Sequence, residues 1–70
     1  MNARQIIKIL EANGFICVRR DRHNHARYEA VIDGKARLVS VPDGHGARDV
    51  TKKTLASIIQ QSGLGKKAFR

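Results

Sequence analysis

Few groups in this 70-residue chain can carry chemistry. They are three histidines, His23, His25 and His45, one thiol, Cys17, and one phenol, Tyr28. The carboxylates are scattered singly, and no two have the spacing of an acid–base pair. His23 and His25 stand two apart in the polar stretch Arg19-Arg20-Asp21-Arg22-His23-Asn24-His25-Ala26-Arg27. If that stretch is strand, both imidazoles share a face with Asp21 and Arg27, while Arg22 and Asn24 take the other. A His-x-His pair with His45 could in principle hold zinc. Four arginines (Arg19, Arg20, Arg22, Arg27) surround the pair, however, and nearby cations disfavour another one, so no metal is expected.

Two readings of the histidines then stand side by side. In the simpler one they are exposed polar residues without a task. In the other they move protons on RNA. Imidazole takes or gives a proton near neutral pH, and RNA carries its own nucleophile, the 2′-hydroxyl. A base that removes that proton starts strand scission with no metal or organic cofactor. Positive side chains stabilise the charge that builds on the phosphorus. Cys17 lies among apolar strand formers and reads as a small buried hydrophobe. A single cysteine leaves no internal disulfide and fits the reducing cytosol.

The charge balance supports a polyanionic partner. Fourteen Lys+Arg stand against six Asp+Glu, a formal charge of +8 with a pI near 10.6. Such an excess repels itself, and nucleic acid is the usual counterweight. The length fits one domain. No apolar run reaches the roughly 18 residues of a membrane span, and the opening residues lack the pattern of a secretory leader. A multidomain enzyme, a membrane protein and a disulfide scaffold are thereby excluded as expectations.

These side chains need elements to hold them. Asn2 caps a first helix over 3–13, with Gln5 completing a capping box and Gly14 as a left-handed stop. Ile6, Ile7, Ile9 and Leu10 form its apolar stripe. Phe15-Ile16-Cys17-Val18 reads as a strand. Residues 28–32 and 37–41 are two more, joined by the hairpin signal Asp33-Gly34, and Pro42 ends the last. Residues 42–49 read as a loop. Thr51 caps a second helix, with Val50 and Leu55 as a hydrophobic staple. Leu55, Ile58 and Ile59 are its buried stripe, and Gly63 with Leu64 forms a Schellman stop. Residues 65–70 remain as a basic tail. The order is α-β-β-β-α, an α+β fold with two helices covering one face of a three-stranded antiparallel sheet. Lys52 and Lys53 open the second helix, where the dipole favours anions over cations, and so hint at phosphate.

Taken in order, these pieces resemble the HicA toxin family of bacterial toxin–antitoxin systems. They are Ile6-Ile7-Lys8-Ile9-Leu10-Glu11 with Asn13-Gly14-Phe15, then Val18-Arg19, a histidine three residues before an aromatic, and Val39-Ser40-Val41-Pro42. Thr54-Leu55 then leads a helix closing with Ile58-Ile59-Gln60-Gln61-Ser62-Gly63-Leu64. The likeness spans about residues 3–64. It implies a double-stranded-RNA-binding-domain-like fold and a cytoplasmic, metal-independent endoribonuclease that cleaves mRNA and needs no cofactor. It also implies a HicB-like antitoxin as partner, with oligomers formed through that antitoxin. Family members typically carry Gly-Ser-His at the start of the second strand. Here His23, Asn24 and His25 occupy those places, so His25 matches the catalytic histidine and Tyr28 the aromatic. His45 lies one residue later than the histidine common in its region.

The expected site is therefore His25 as general base or acid, with Arg22, Arg27, Lys52 and Lys53 on phosphates. Tyr28 packs against or orients the histidine, or stacks on a base. His23 and His45 are accessory. An acidic antitoxin is expected to bury the His25 face and to be steered by the +8 charge. Two alternatives use the same residues: a non-catalytic RNA-binding module of this fold, and a degenerate, inactive toxin. An interaction protein whose charge serves an acidic partner is a third.

Overall fold

The computed structural model describes residues 1–20, 25–42 and 49–69. Helix α1 spans Ala3–Ala12 because its start is satisfied locally. The Asn2 side chain accepts from the Gln5 backbone N–H at 2.9 Å, and the Gln5 side chain accepts from the Asn2 N–H at 2.8 Å. This is the reciprocal box expected from the sequence. Ala3, Ile6 and Leu10 form its buried stripe. Gly14, at φ +89°, turns the chain, and the Phe15 N–H donates back to the Leu10 carbonyl at 3.0 Å. That bond closes the helix and drives Phe15 into the core beside Leu10.

Three strands follow, β1 (Ile16–Arg20), β2 (His25–Ile32) and β3 (Lys35–Pro42), antiparallel in the order β1-β2-β3. Asp33 and Gly34 both have positive φ, +53° and +77°, so the β2–β3 hairpin closes tightly with Ile32 opposite Lys35. Both strands run past the limits read from the sequence. β2 begins at His25 instead of Tyr28, and β3 runs from Lys35 through Pro42. The added residues include charged and polar groups that hide the strand pattern, but they face solvent and the ladder accommodates them.

Alternation divides the sheet cleanly. Ala26, Tyr28, Val39 and Val41 are buried, and they share one core with Ile6 and Leu10 of α1 and Ile58 of the second helix. His25, Arg27, Glu29, Val31, Leu38 and Ser40 are exposed on the other face. Both helices thus cover one side of the sheet, giving the α+β architecture expected.

Helix α2 spans Lys52–Ser62. Thr51 caps it, its hydroxyl accepting from the Thr54 N–H at 3.1 Å. Val50 and Leu55 both pack on the core, as a staple requires. At the other end the buried Ser62 hydroxyl donates to the Ile59 carbonyl at 2.8 Å and accepts from the Leu64 N–H at 3.2 Å. The side chain thus serves the bond a Schellman turn would give. Gln61 reaches the outer edge of β3, where its carbonyl oxygen accepts from the Ser40 N–H at 3.3 Å. That bond protects an edge that could otherwise pair with another chain.

Two expectations are corrected. Residues 65–70 are not merely a basic tail: Lys66–Phe69 forms a 3₁₀ turn, and Phe69 is buried in the core. Cys17 is exposed, because β1 is an edge strand and every one of its residues stays open to solvent. Among the described residues, no helix is long and apolar enough to cross a membrane.

Gly63 holds the stop of α2 at φ +70°, and a Cβ there would lie 2.8 Å from the Arg37 guanidinium. The guanidinium can swing aside, so the left-handed backbone dominates the cost. Gly63→Ala is expected to destabilise the fold by about 1–2 kcal/mol. Urea unfolding followed by circular dichroism reads this directly, as a lower midpoint with unchanged slope.

Candidate active site

β2 is the central strand, and its residues Ala26–Glu29 lie between ladders to β1 and β3. His25 is its first residue, exposed and paired with Pro42 of β3. Arg27 follows on the same face, about 7 Å along at the usual strand rise. Both side chains are exposed to solvent.

β1 supplies a residue that sequence reasoning passed over. Cys17 lies opposite Tyr28, yet Arg19 lies opposite Arg27, so Val18 is an extra residue in a β-bulge. Regular alternation would turn Arg19 toward the helices. The bulge instead places it on the outer face across from Arg27, with Arg20 opposite the buried Ala26. Directly opposed residues have Cβ atoms about 4.5–5.5 Å apart. The only signal in the sequence is the abundance of arginine before His25, which does not reveal the face.

Tyr28 is 1% exposed and lies on the helix-covered side. Its ring is part of the core and offers no face on which a base could stack. The sequence allowed either packing or stacking, and the geometry allows packing. Burial pushes the phenol above its ordinary pKa, and the neighbouring Cys17, which also hydrogen-bonds it, adds to the shift. The hydroxyl therefore stays neutral at physiological pH. Lys52 and Lys53 are exposed on the first turn of α2. That helix packs on the opposite side of the sheet, so they do not share the His25 face. Arg22, His23 and His45 lie outside the described residues. Among the described residues no group of three His, Cys, Asp or Glu converges as a metal site would require.

The outer face has two halves. One holds His25, Arg27 and Arg19. The other holds Ile16, Val31 and Leu38, which are 65%, 72% and 49% exposed. Glu29 sits within the apolar half, opposite Ile16 on one side and Leu38 on the other. It is the one carboxylate among the described residues of this face.

The fold is a small basic α+β domain with one sheet face under two helices and an exposed histidine near arginines on the other. The family is more specific. The model described as "HicA toxin of bacterial toxin-antitoxin" matches residues 3–64. This chain belongs to the HicA toxin family and is a toxin of a toxin–antitoxin system, with an antitoxin as its partner. No curated protein and no solved structure matches it.

Proposed function

We propose that this toxin is an endoribonuclease that cleaves mRNA without a metal, with His25 as its proton-transfer group. The observation that carries the reading is the position of His25, exposed on the central strand with Arg27 beside it on the uncovered face. The neutral imidazole accepts the proton of a ribose 2′-hydroxyl. The 2′ oxygen forms a bond to the adjacent phosphorus, and the bond from phosphorus to the 5′ oxygen of the next nucleotide breaks. That oxygen takes a proton from the His25 imidazolium or from water. The products are a 2′,3′-cyclic phosphate and a 5′-hydroxyl, with no net change in protons. Arg27 stabilises charge on the non-bridging oxygens. Arg22, with Lys52 and Lys53 beyond the sheet, holds phosphates further along the strand, and His23 and His45 are accessory.

The test is cleavage of a single-stranded RNA by the purified chain in EDTA, against the same strand with 2′-deoxyribose throughout. The reading expects cyclic-phosphate ends from the ribose strand and no cleavage of the deoxyribose strand. Binding of the RNA without any cutting would instead support the non-catalytic module of the same fold.

The same face is proposed as the seat of the antitoxin, a HicB-like protein. Its apolar half is more exposed than a small soluble domain needs. The arginine half suits acidic side chains, and Glu29 suits one basic side chain at the centre of the apolar contact. A second copy of this chain fits poorly, because a twofold interface centred on this half would bring Glu29 against itself. Leu38→Lys puts a cation opposite Glu29, which the sheet accommodates. Loss of the leucine contact, worth about 1.5–3 kcal/mol when buried, is expected to weaken antitoxin binding about 10- to 100-fold. Toxicity in the absence of antitoxin should persist. A variant neutralised as well as the parent would place the antitoxin elsewhere.

A further inference from the structure

We infer that Arg19 and Arg27 together form a two-guanidinium clamp for one RNA phosphodiester, beside His25, and that the β1 bulge puts Arg19 in that position. The inference rests on the RNA-cleaving reading for its ligand, and on the sheet register for its geometry. Cys17 opposite Tyr28 belongs to the covered side. In a regular strand Val18 would face out and Arg19 in. With Val18 as the extra residue, Arg19 comes to stand opposite Arg27, on the face that also carries His25.

Two like charges directly opposed on neighbouring strands destabilise a sheet. Glu29, on the same face two positions beyond Arg27, makes no ion pair with either arginine. The ion pair between the Met1 amino group and Asp49, at 3.5 Å, involves neither arginine. An anion from outside removes the repulsion. Planar guanidiniums about 5 Å apart at their roots can converge on the two non-bridging oxygens of one phosphate, each donating in the paired geometry that arginine favours. His25, on the same face two positions from Arg27, then stands where a 2′-hydroxyl next to that phosphate would lie. Phosphate is favoured because the clamp adjoins an imidazole that can exchange a proton with the ribose next to it, and a carboxylate of the antitoxin is the competing ligand that the experiment separates.

The experiment uses the full chain carrying His25→Ala, so that binding is read without cutting. The probe is a fluorescent single-stranded RNA of ten nucleotides, titrated over a range of salt. Removing one phosphate contact lowers the slope of log affinity against log salt by about 0.7 on a single strand. Because both arginines serve one phosphate, the double variant Arg19→Ala/Arg27→Ala is expected to show that loss once, each single variant to weaken binding with a smaller change of slope, and Lys8→Ala, on the exposed side of α1, to do neither. With His25 restored, Arg19→Lys should recover much of the affinity but little of the cleavage rate, since a single ammonium cannot reproduce the paired donors. A folded Arg19→Ala protein that binds the RNA as tightly as its parent, or a double variant that loses twice the slope of one phosphate, would overturn the clamp. So would Arg19→Ala that loses only antitoxin affinity, because the pair would then hold a carboxylate. No RNA binding by the folded His25→Ala chain at low salt would overturn the nuclease reading itself.

Discussion

Replacing His25 with alanine should lower the rate of RNA cleavage by about 10²–10⁴-fold, the usual worth of a positioned acid or base. The fold should survive the change. His25 is exposed at the first position of β2, and its ladder bonds are backbone bonds that alanine keeps. The loss of stability should stay within about 1 kcal/mol, the scale of one side-chain hydrogen bond. A folded, RNA-binding, inactive protein is therefore the expected result. Rates from a labelled RNA in EDTA, with circular dichroism of the same sample, separate loss of chemistry from loss of structure.

The second large effect belongs to Tyr28, and it is structural. The ring is among the largest fully buried side chains, at the centre of the core. Tyr28→Ala should cost about 3–5 kcal/mol. A domain of this length has about 4–10 kcal/mol in all, so the change removes from about a third to all of the stability, and any lost activity should track the unfolded fraction. Tyr28→Phe keeps the packing and removes only the hydroxyl, which contacts Cys17. It should keep cleavage within a few-fold of the parent. Urea midpoints and cleavage rates on both variants distinguish the roles. A folded Tyr28→Phe protein without activity would give the hydroxyl a part in the reaction.

The sequence makes the local devices legible, because each is fixed by neighbours in the chain. The Asn2–Gln5 box, the Gly14 and Gly63 stops, the Thr51 cap and the Asp33-Gly34 hairpin all form where their residue types require. What it hides depends on partners far away. The bulge at Val18 arises from pairing β1 with β2, and no pattern within residues 16–20 announces it. Without the bulge, Arg19 cannot be assigned to the His25 face. The exposure of Cys17 follows from the place of β1 at the sheet edge, which composition does not record. Phe69 follows a glycine and two lysines that look like solvated tail, yet it finds an apolar slot against α1. Lys52 and Lys53 show the converse limit. Their position at a helix start is legible, whereas the side of the sheet on which that helix packs is not. His25 and Arg27 were visible as candidates because a strand's alternation carries them to one face whichever way the sheet is covered.

In the proposed reaction this toxin acts through His25 on RNA. Inducible expression of the parent chain and of His25→Ala, with growth and total mRNA integrity followed together, tests it most directly. The parent should arrest growth and degrade mRNA, while the variant, present at the same level, should do neither. Equal arrest and equal mRNA loss by both proteins would contradict it.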